Sequence, residues 1–268
     1  MNIQHQIKAV FNALHQKRAL IHHITNYVTV NDCANMVLSI GASPIMADEL
    51  MEMDEMVSIC DALVLNIGTA NERTIASMLK AGKMANEKGI PIILDPVGVG
   101  ATSFRHESVK HLLQELRLSV IRGNMAEIKT IAGLKSKSAG VDSLEDESNG
   151  VSIALSVAQA LKCVIAITGK VDIVSDGNKT YSLHNGSEAL THVTGTGCMT
   201  TSLIGSFLGA SHQPLESAIA GILCMSIAGE KADASLGYGT YRTSLIDWVS
   251  KMSHELILER SVIKLDNQ

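Results

Sequence analysis

Two short apolar runs, ALVLNIG at 62–68 and IPIILDP at 90–96, flank the stretch NERTIASMLKAGKMANEKG, and this trio constrains the chain more than any other feature. Unbroken apolar runs bounded by Gly, Pro or Asn fit strands buried on both faces of a parallel sheet. Between them Ile75, Met78, Leu79 and Met84 recur at helical spacing, and Gly89 stands where a helix stops. Strand, helix and strand in that order form the parallel βαβ unit, whose sheet is covered by helices on both sides. The alternation extends along the chain. Ile3, Ile7, Val10, Phe11 and Leu14 share a helical face; ALIHHIT reads as a strand, NDCANMVLSIG as a helix closed by Gly41, and SPIMA as a strand. After IILDP come a helical HESVKHLLQEL, a strand LSVIRGN, a short helix MAEIKTIAG, a helix VSIALSVAQALKC and a strand CVIAITG. DIVSDGNKTYSLH predicts a β-hairpin turning at Asp176-Gly177-Asn178. Three helices are expected at 197–209, 215–236 and 241–259. The polar segment 134–150 has no apolar period and reads as a surface loop or lid. The expectation is one α/β domain over 1–268, with three α/β/α layers, a mainly parallel central sheet and a late β-hairpin.

Composition enters where the surface is concerned. Hydrophobic residues make up 46% and charged residues only 18%, against roughly 25% in ordinary soluble domains. Either large buried layers or surfaces covered by partner subunits would account for that. A net charge of −5 without blocks of like charge speaks against nucleic acid or an anionic membrane as partner. Five cysteines, scattered and without a CxxC pair, point to a reducing compartment rather than a disulfide framework or a structural zinc site. The opening MNIQHQIKAVFNALHQKRAL lacks the apolar core of a signal peptide, and no apolar run is long enough to span a membrane. A cytoplasmic location is therefore expected.

The chemistry concentrates at a few strand-to-helix junctions. In VTGTGCMTTSLIGSFLG (193–209), Gly195 and Gly197 precede a helix whose first amides lack intrahelical partners, the arrangement that binds anions. TGTGC reads as an oxyanion cradle for a phosphoryl group; a glycine-bearing turn into a buried helix accounts for the same letters. DPVGVGAT (95–102) ends a strand in Asp95, where a carboxylate can hold Mg²⁺ or its waters. As a dinucleotide fingerprint it fails, because Ser103 stands where the third glycine belongs. In GNMAE, Asn124 and Glu127 lie three apart at a helix start, suited both to a metal–phosphate site and to a plain capping box. ITGK (167–170) is no P-loop, since GxxxxGK[ST] occurs nowhere. His22 and His23, neighbours in a strand, point to opposite faces, which argues against a shared metal and for packing or a single substrate contact. Core packing explains most of ELMEMDEM (49–56), and Cys33, Cys60, Cys163 and Cys224 read as small buried residues.

Together, GTGC before a helix, a strand ending in DPVGVGAT, and Asn124-x-x-Glu127 resemble the ribokinase-like vitamin kinases. The block HHITNYVTVNDCANMVLSIGASPIMADE is similar to that of the hydroxyethylthiazole kinases, and the resemblance spans essentially the whole chain. It implies a ribokinase-like fold and transfer of the γ-phosphoryl of ATP, with Mg²⁺, to 4-methyl-5-(2-hydroxyethyl)thiazole in thiamine salvage. By matching positions it places Met46, Gly195, Asn26 and Val28 at the thiazole alcohol, and Arg122 and Thr168 at ATP. Asp95, Glu127 and Asn124 fall at the metal, and Thr196, Gly197 and Cys198 at the reacting centre. It also implies a homotrimer with active sites between subunits. Many sugar kinases of this class carry aspartate at the position of Cys198. A helix N-terminus lowers a thiol's pKa and bound phosphates raise it, so the sequence leaves open whether Cys198 is a base. Hydroxymethylpyrimidine or pyridoxal kinase activity, an NAD-dependent oxidoreductase, and a non-catalytic thiazole or nucleotide sensor are the competing readings.

Overall fold

A computed structural model describes residues 3–134 and 143–267. In chain order the elements are α1 (Ile3–Gln16), β1 (Leu20–Ile24), α2 (Val30–Ser39), β2 (Ser43–Met46), α3 (Met53–Ile59), β3 (Ala62–Asn66), α4 (Glu72–Lys88), β4 (Ile92–Asp95), α5 (Ser103–Glu115), β5 (Val120–Asn124), α6 (Met125–Ile131) and α7 (Ser143–Leu161). The second half adds β6 (Val164–Thr168), β7 (Asp172–Ser175), β8 (Thr180–Leu183), α8 (Thr196–Ser211), α9 (Pro214–Lys231), α10 (Tyr238–Ser250), α11 (His254–Arg260) and β9 (Ile263–Asn267).

These strands form one sheet in the order β2-β1-β3-β4-β5-β6-β7-β8-β9. Pairing is parallel from β2 through β6 and antiparallel from β6 to β9. Alternation along each strand divides the core in two. Ile21, Val64, Ile93, Val120 and Ala166 face the layer containing α1, α2, α8 and α9. Leu63, Leu65, Ile92, Leu94, Ile121 and Ile165 face the layer built from α3 to α7. Burial on both faces is why these strands are apolar throughout. Parallel pairing also brings the strand ends level: Asn66 lies beside Asp95, Asn124 beside Thr168, and His23 beside Met46.

The βαβ reading from 62 to 96 holds, with Gly89 closing α4 in the left-handed region at φ 70°. Neighbouring His22 and His23 do make separate contacts. His22 Nε2 donates to the Ala47 carbonyl at 2.9 Å, and His23 Nε2 lies 3.1 Å from Ser202 Oγ on α8. All five cysteines are buried and free.

Five expectations need correction. Residues 143–150 belong to α7 rather than to a loop, while 135–142 of that segment lie outside the described residues. The start of α7, SLEDESNG, carries no apolar stripe, so periodicity misses it. The helix expected over 215–236 ends at Lys231. That over 241–259 breaks before Ser253, whose hydroxyl caps α11 by accepting from the Leu256 amide at 3.3 Å. The hairpin also gains a third strand, β9, which sequence alternation this weak does not reveal. Of the methionines in 49–56, only Met53 is fully core, and Met51 is 83% exposed.

Candidate active site

The carboxyl ends of the parallel strands and the start of α8 converge on one crevice, the usual ligand position in an open α/β sheet. Gly195, at φ 84°, precedes the first turn of α8, and no side chain caps that turn. The first intrahelical bond runs from the Met199 amide to the Gly195 carbonyl, so the amides of Thr196, Gly197 and Cys198 point outward. Gly195 is required by φ and by contact, Gly197 by contact alone. A Cβ on Gly195 would stand 3.0 Å from Thr29 Cβ, and one on Gly197 would stand 2.7–2.8 Å from Arg122 Nη2 and Cζ. Hydroxyls deeper in the helix are satisfied by carbonyls one turn back, as with Thr200 to Thr196 and Ser206 to Ser202.

Cys198 sits at the third position of this turn within a buried polar cluster. Its Sγ accepts from Asn26 Nδ2 at 3.3 Å and Asn66 Nδ2 at 3.2 Å. Asn66 also donates to Asp95 Oδ2 at 2.8 Å, and Thr201 Oγ1 donates to the same oxygen at 2.9 Å. Burial first, then the negative field of Asp95, raises the Cys198 pKa; hydrogen bonds from Thr29, Asn66 and Asn26 only partly oppose this. The thiol is therefore protonated at neutral pH.

Asp95 is wholly buried, and its Oδ1 has no hydrogen-bond partner. Arg122 Nη1 lies 3.7 Å from that oxygen, while Arg122 Nη2 donates to Thr168 Oγ1. Burial pushes the Asp95 carboxyl up to about 6, with Arg122 pulling it down and Glu127 adding to the rise. An acceptor oxygen and a guanidinium Nε, both buried and both unpartnered, face this part of the crevice. Such orphans are what a ligand completes.

Asn124 and Glu127 form a reciprocal capping box at α6. Asn124 Oδ1 accepts the Glu127 amide at 2.9 Å, and Glu127 Oε2 accepts the Asn124 amide at 2.8 Å. Glu127 Oε1 additionally accepts the Gly98 amide at 2.8 Å, tying α6 to the loop after β4. Among the described residues no group of three or more His, Cys, Asp or Glu could hold a metal. The donor set nonetheless fits a hard cation that keeps its waters, because Asp95 Oδ1 is a carboxylate oxygen without a hydrogen-bond partner.

Met46 lines a neighbouring cavity of about 270 Å³ together with His23, Tyr27, Val30 and Thr69. Asn26 lies behind it, 4% exposed, linked to Asn66 and Cys198. Val28 is 56% exposed and does not line that cavity. The structure therefore gathers Asn26, Asp95, Arg122, Thr168 and the 195–198 turn, and leaves Met46 and Val28 farther out.

Sequence reading missed Asn66, Thr201 and Arg105. Asn66 closes ALVLN as Asp95 closes IILD, a signal that was available. Thr201 lies three residues after Cys198, on the same face of α8. Arg105 carried none: its guanidinium donates to the Val97 and Gly68 carbonyls, each at 2.6 Å, joining the loops after β4 and β3.

A parallel sheet with an antiparallel edge, an uncapped helix at its carboxyl edge and a buried Asp–Arg pair together define the ribokinase-like class of phosphotransferases. The Bacillus subtilis pyridoxal kinase in its ADP complex shares this fold at a TM-score of 0.61 and 15% identity, over 81% of this chain and 93% of that one. The model of the hydroxyethylthiazole kinase family matches residues 11–255, and the chain belongs to that family. It is 51% identical to the hydroxyethylthiazole kinase of Alkaliphilus oremlandii, over 98% of this chain and 99% of that protein. Against the Clostridium beijerinckii protein of the same name identity is 48%, over 97% of each. The hydroxyethylthiazole kinase structure from Pyrococcus horikoshii superposes with a TM-score of 0.89 at 35% identity, covering 97% of this chain and 99% of that one.

Proposed function

We propose that this chain is an ATP-dependent kinase that phosphorylates the hydroxyl of 4-methyl-5-(2-hydroxyethyl)thiazole in thiamine salvage, with residues 1–268 acting as one kinase domain. Membership of the family supports the activity. The observation that carries the site assignment is the uncapped first turn of α8 beside the unpartnered Asp95 Oδ1.

In this reading the amides of Thr196, Gly197 and Cys198 receive the charge that develops on the transferring phosphoryl group. The Thr196 hydroxyl is turned away, donating to the Leu190 carbonyl at 3.2 Å, so only its amide serves. Arg122 and Thr168 hold the phosphates of ATP. Asp95 would hold Mg²⁺, with Glu127 and Asn124 acting through its waters; when bound, the ion screens the phosphate charge. Phosphoryl transfer depends mostly on positioning and charge stabilisation. A thiol kept protonated is a weak base, so the cradle carries most of the rate. Cys198, its thiol protonated, orients the hydroxyl, whose proton passes to an oxygen of the transferring phosphoryl group as the acceptor oxygen–phosphorus bond forms and the bond to the ADP leaving group breaks.

Gly195, Met46, Asn26 and Val28 form the acceptor side. Val28 is exposed, as are Tyr27 at 79% and Met51 at 83%. Such apolar exposure beside the crevice supports a homotrimer in which a second copy completes the acceptor site. Five buried free thiols support a cytoplasmic location. Among the described residues no helix is long and apolar enough to cross a membrane.

The test is ATP turnover with Mg²⁺, offering hydroxyethylthiazole, hydroxymethylpyrimidine and pyridoxal separately. Phosphorylation of the thiazole alone is expected. Turnover of another alcohol in its place would leave the phosphate cradle standing and overturn the acceptor assignment. Binding of thiazole and ATP without turnover would make the chain a sensor.

A further inference from the structure

Asp172, a second buried carboxylate, has no part in the chemistry above. It opens β7, is 5% exposed, and its two oxygens are used differently. Oδ1 accepts the Gly169 amide across the β6–β7 turn at 3.0 Å, and Oδ2 accepts from Ser226 Oγ of α9 at 3.3 Å. The residue before Gly169 is Thr168, whose hydroxyl receives the Arg122 guanidinium. Three elements thus meet on one side chain: the turn that ends β6, the strand that follows, and a helix of the opposite layer.

Resting on the kinase reading, we propose that Asp172 is a positioning residue for the nucleotide: it clamps the 168–172 turn through the Gly169 amide and so fixes the Thr168 hydroxyl against Arg122. A carboxylate is suited to this task because bonds to a charged acceptor are shorter and stronger than neutral ones. The turn itself is exposed at Gly169 and Lys170, and beyond the Ile167–Ile173 pairing that closes it the Asp172 carboxylate ties its Gly169 amide down. Burial is unfavourable for the ionised group, and its carboxyl is pushed up to about 6, with the Gly169 amide and the field of Arg122 opposing the rise. Burial of that kind is retained where the charge orders its neighbours.

The experiment compares wild type, Asp172→Ser, Asp172→Asn and Ser226→Ala in the full chain, reading KM for ATP, KM for the thiazole, kcat, and ADP affinity by calorimetry. Asp172→Ser cannot reach the Gly169 amide; it is expected to weaken ADP and raise KM for ATP about tenfold, leaving KM for the thiazole within about twofold. Asp172→Asn keeps an acceptor in place and is expected to recover ADP affinity to within about threefold of wild type. Ser226→Ala leaves the clamp intact and is expected to bind ADP as wild type does. In a double-mutant cycle on ADP affinity, Thr168→Val and Asp172→Ser are expected to be strongly non-additive, because one acts through the other. Additive losses, equal rises in both KM values, or an Asp172→Ser protein that binds ADP normally would overturn the proposal. If Asp172→Ser does not fold, Asp172→Ala, which also removes the acceptor, carries the same cycle, and additivity with Thr168→Val overturns the proposal. Wild-type protein that fails to bind ADP would instead sink the kinase reading, a separate outcome.

Discussion

The helices α6 and α8 both begin at the carboxyl edge of the sheet, and both follow a glycine-bearing junction, GN and GTG. Their first turns have opposite fates. At α6 the orphan amides are consumed: Asn124 and Glu127 cap each other's backbone, and the spare Glu127 oxygen takes the Gly98 amide. At α8 no side chain caps the turn, a guanidinium lies in front of it, and a carboxylate oxygen nearby has no partner. A helix start is thus only a potential anion site; whether it can bind depends on what the flanking side chains have already taken. Self-satisfaction makes α6 a structural joint, and the lack of it makes α8 receptive.

Five measurements would break or sharpen this contrast. The largest effect is expected from Gly197→Val, which drives a branched side chain into Arg122 and across the cradle. We expect kcat/KM to fall by on the order of 10³, with ADP binding weakened; near-normal turnover would mean the α8 amides are not the cradle. Asp95→Asn is expected to lower kcat by roughly 10²–10³ through loss of an aimed charge. The same carboxyl gives a pH signature. With its folded pKa raised to about 6, activity should decline as pH falls through 6. The stability contribution runs the other way: Asp95 and Asp172 are both raised, so their contribution is full below the unfolded carboxylate value and is lost as pH rises through about 6. Thermal melts from pH 4 to 7, set beside rate profiles, should therefore show opposite trends from these two groups.

Cys198→Ala is expected to cost about 10- to 100-fold in kcat with thiazole and ATP still bound, in keeping with a thiol held protonated. Complete loss of turnover in a protein that binds both substrates would make the sulfur the essential base. The smallest effect belongs to the other helix. Asn124→Ala removes a cap and should destabilise by about 1 kcal/mol, read as a drop of roughly 2–4 °C in Tm. If its Mg²⁺ requirement rises tenfold or more while Tm is unchanged, α6 serves the metal after all and the contrast with α8 dissolves.

Much of this architecture was legible because its causes are local. An apolar run predicts a strand buried on both faces, and Asn71, Thr102 and Asn124 each stand one residue before a helix they cap. Asp95 was readable as a site residue because a carboxylate ending an apolar strand is costly to bury without a task. The break at Ser253 and the strand β9 were not legible, since a short edge strand and a helix interruption leave little periodic trace. Asn66 was legible in principle and went unread; Arg105 was not, because its partners are backbone carbonyls of two distant loops.

The sequence by itself determined the layers, the mainly parallel character of the central sheet and the two glycine-led helix starts, since period, caps and glycine placement act over a few residues. Only the tertiary structure decided what each start could do. Asn26 reaches Cys198 across 172 positions, Thr201 reaches Asp95 across 106, and Arg122 closes on Gly197 from another strand. Whether a buried thiol is charged, or a carboxylate oxygen is left free, depends on desolvation and on neighbours brought together by folding. No local stretch of chain encodes that information.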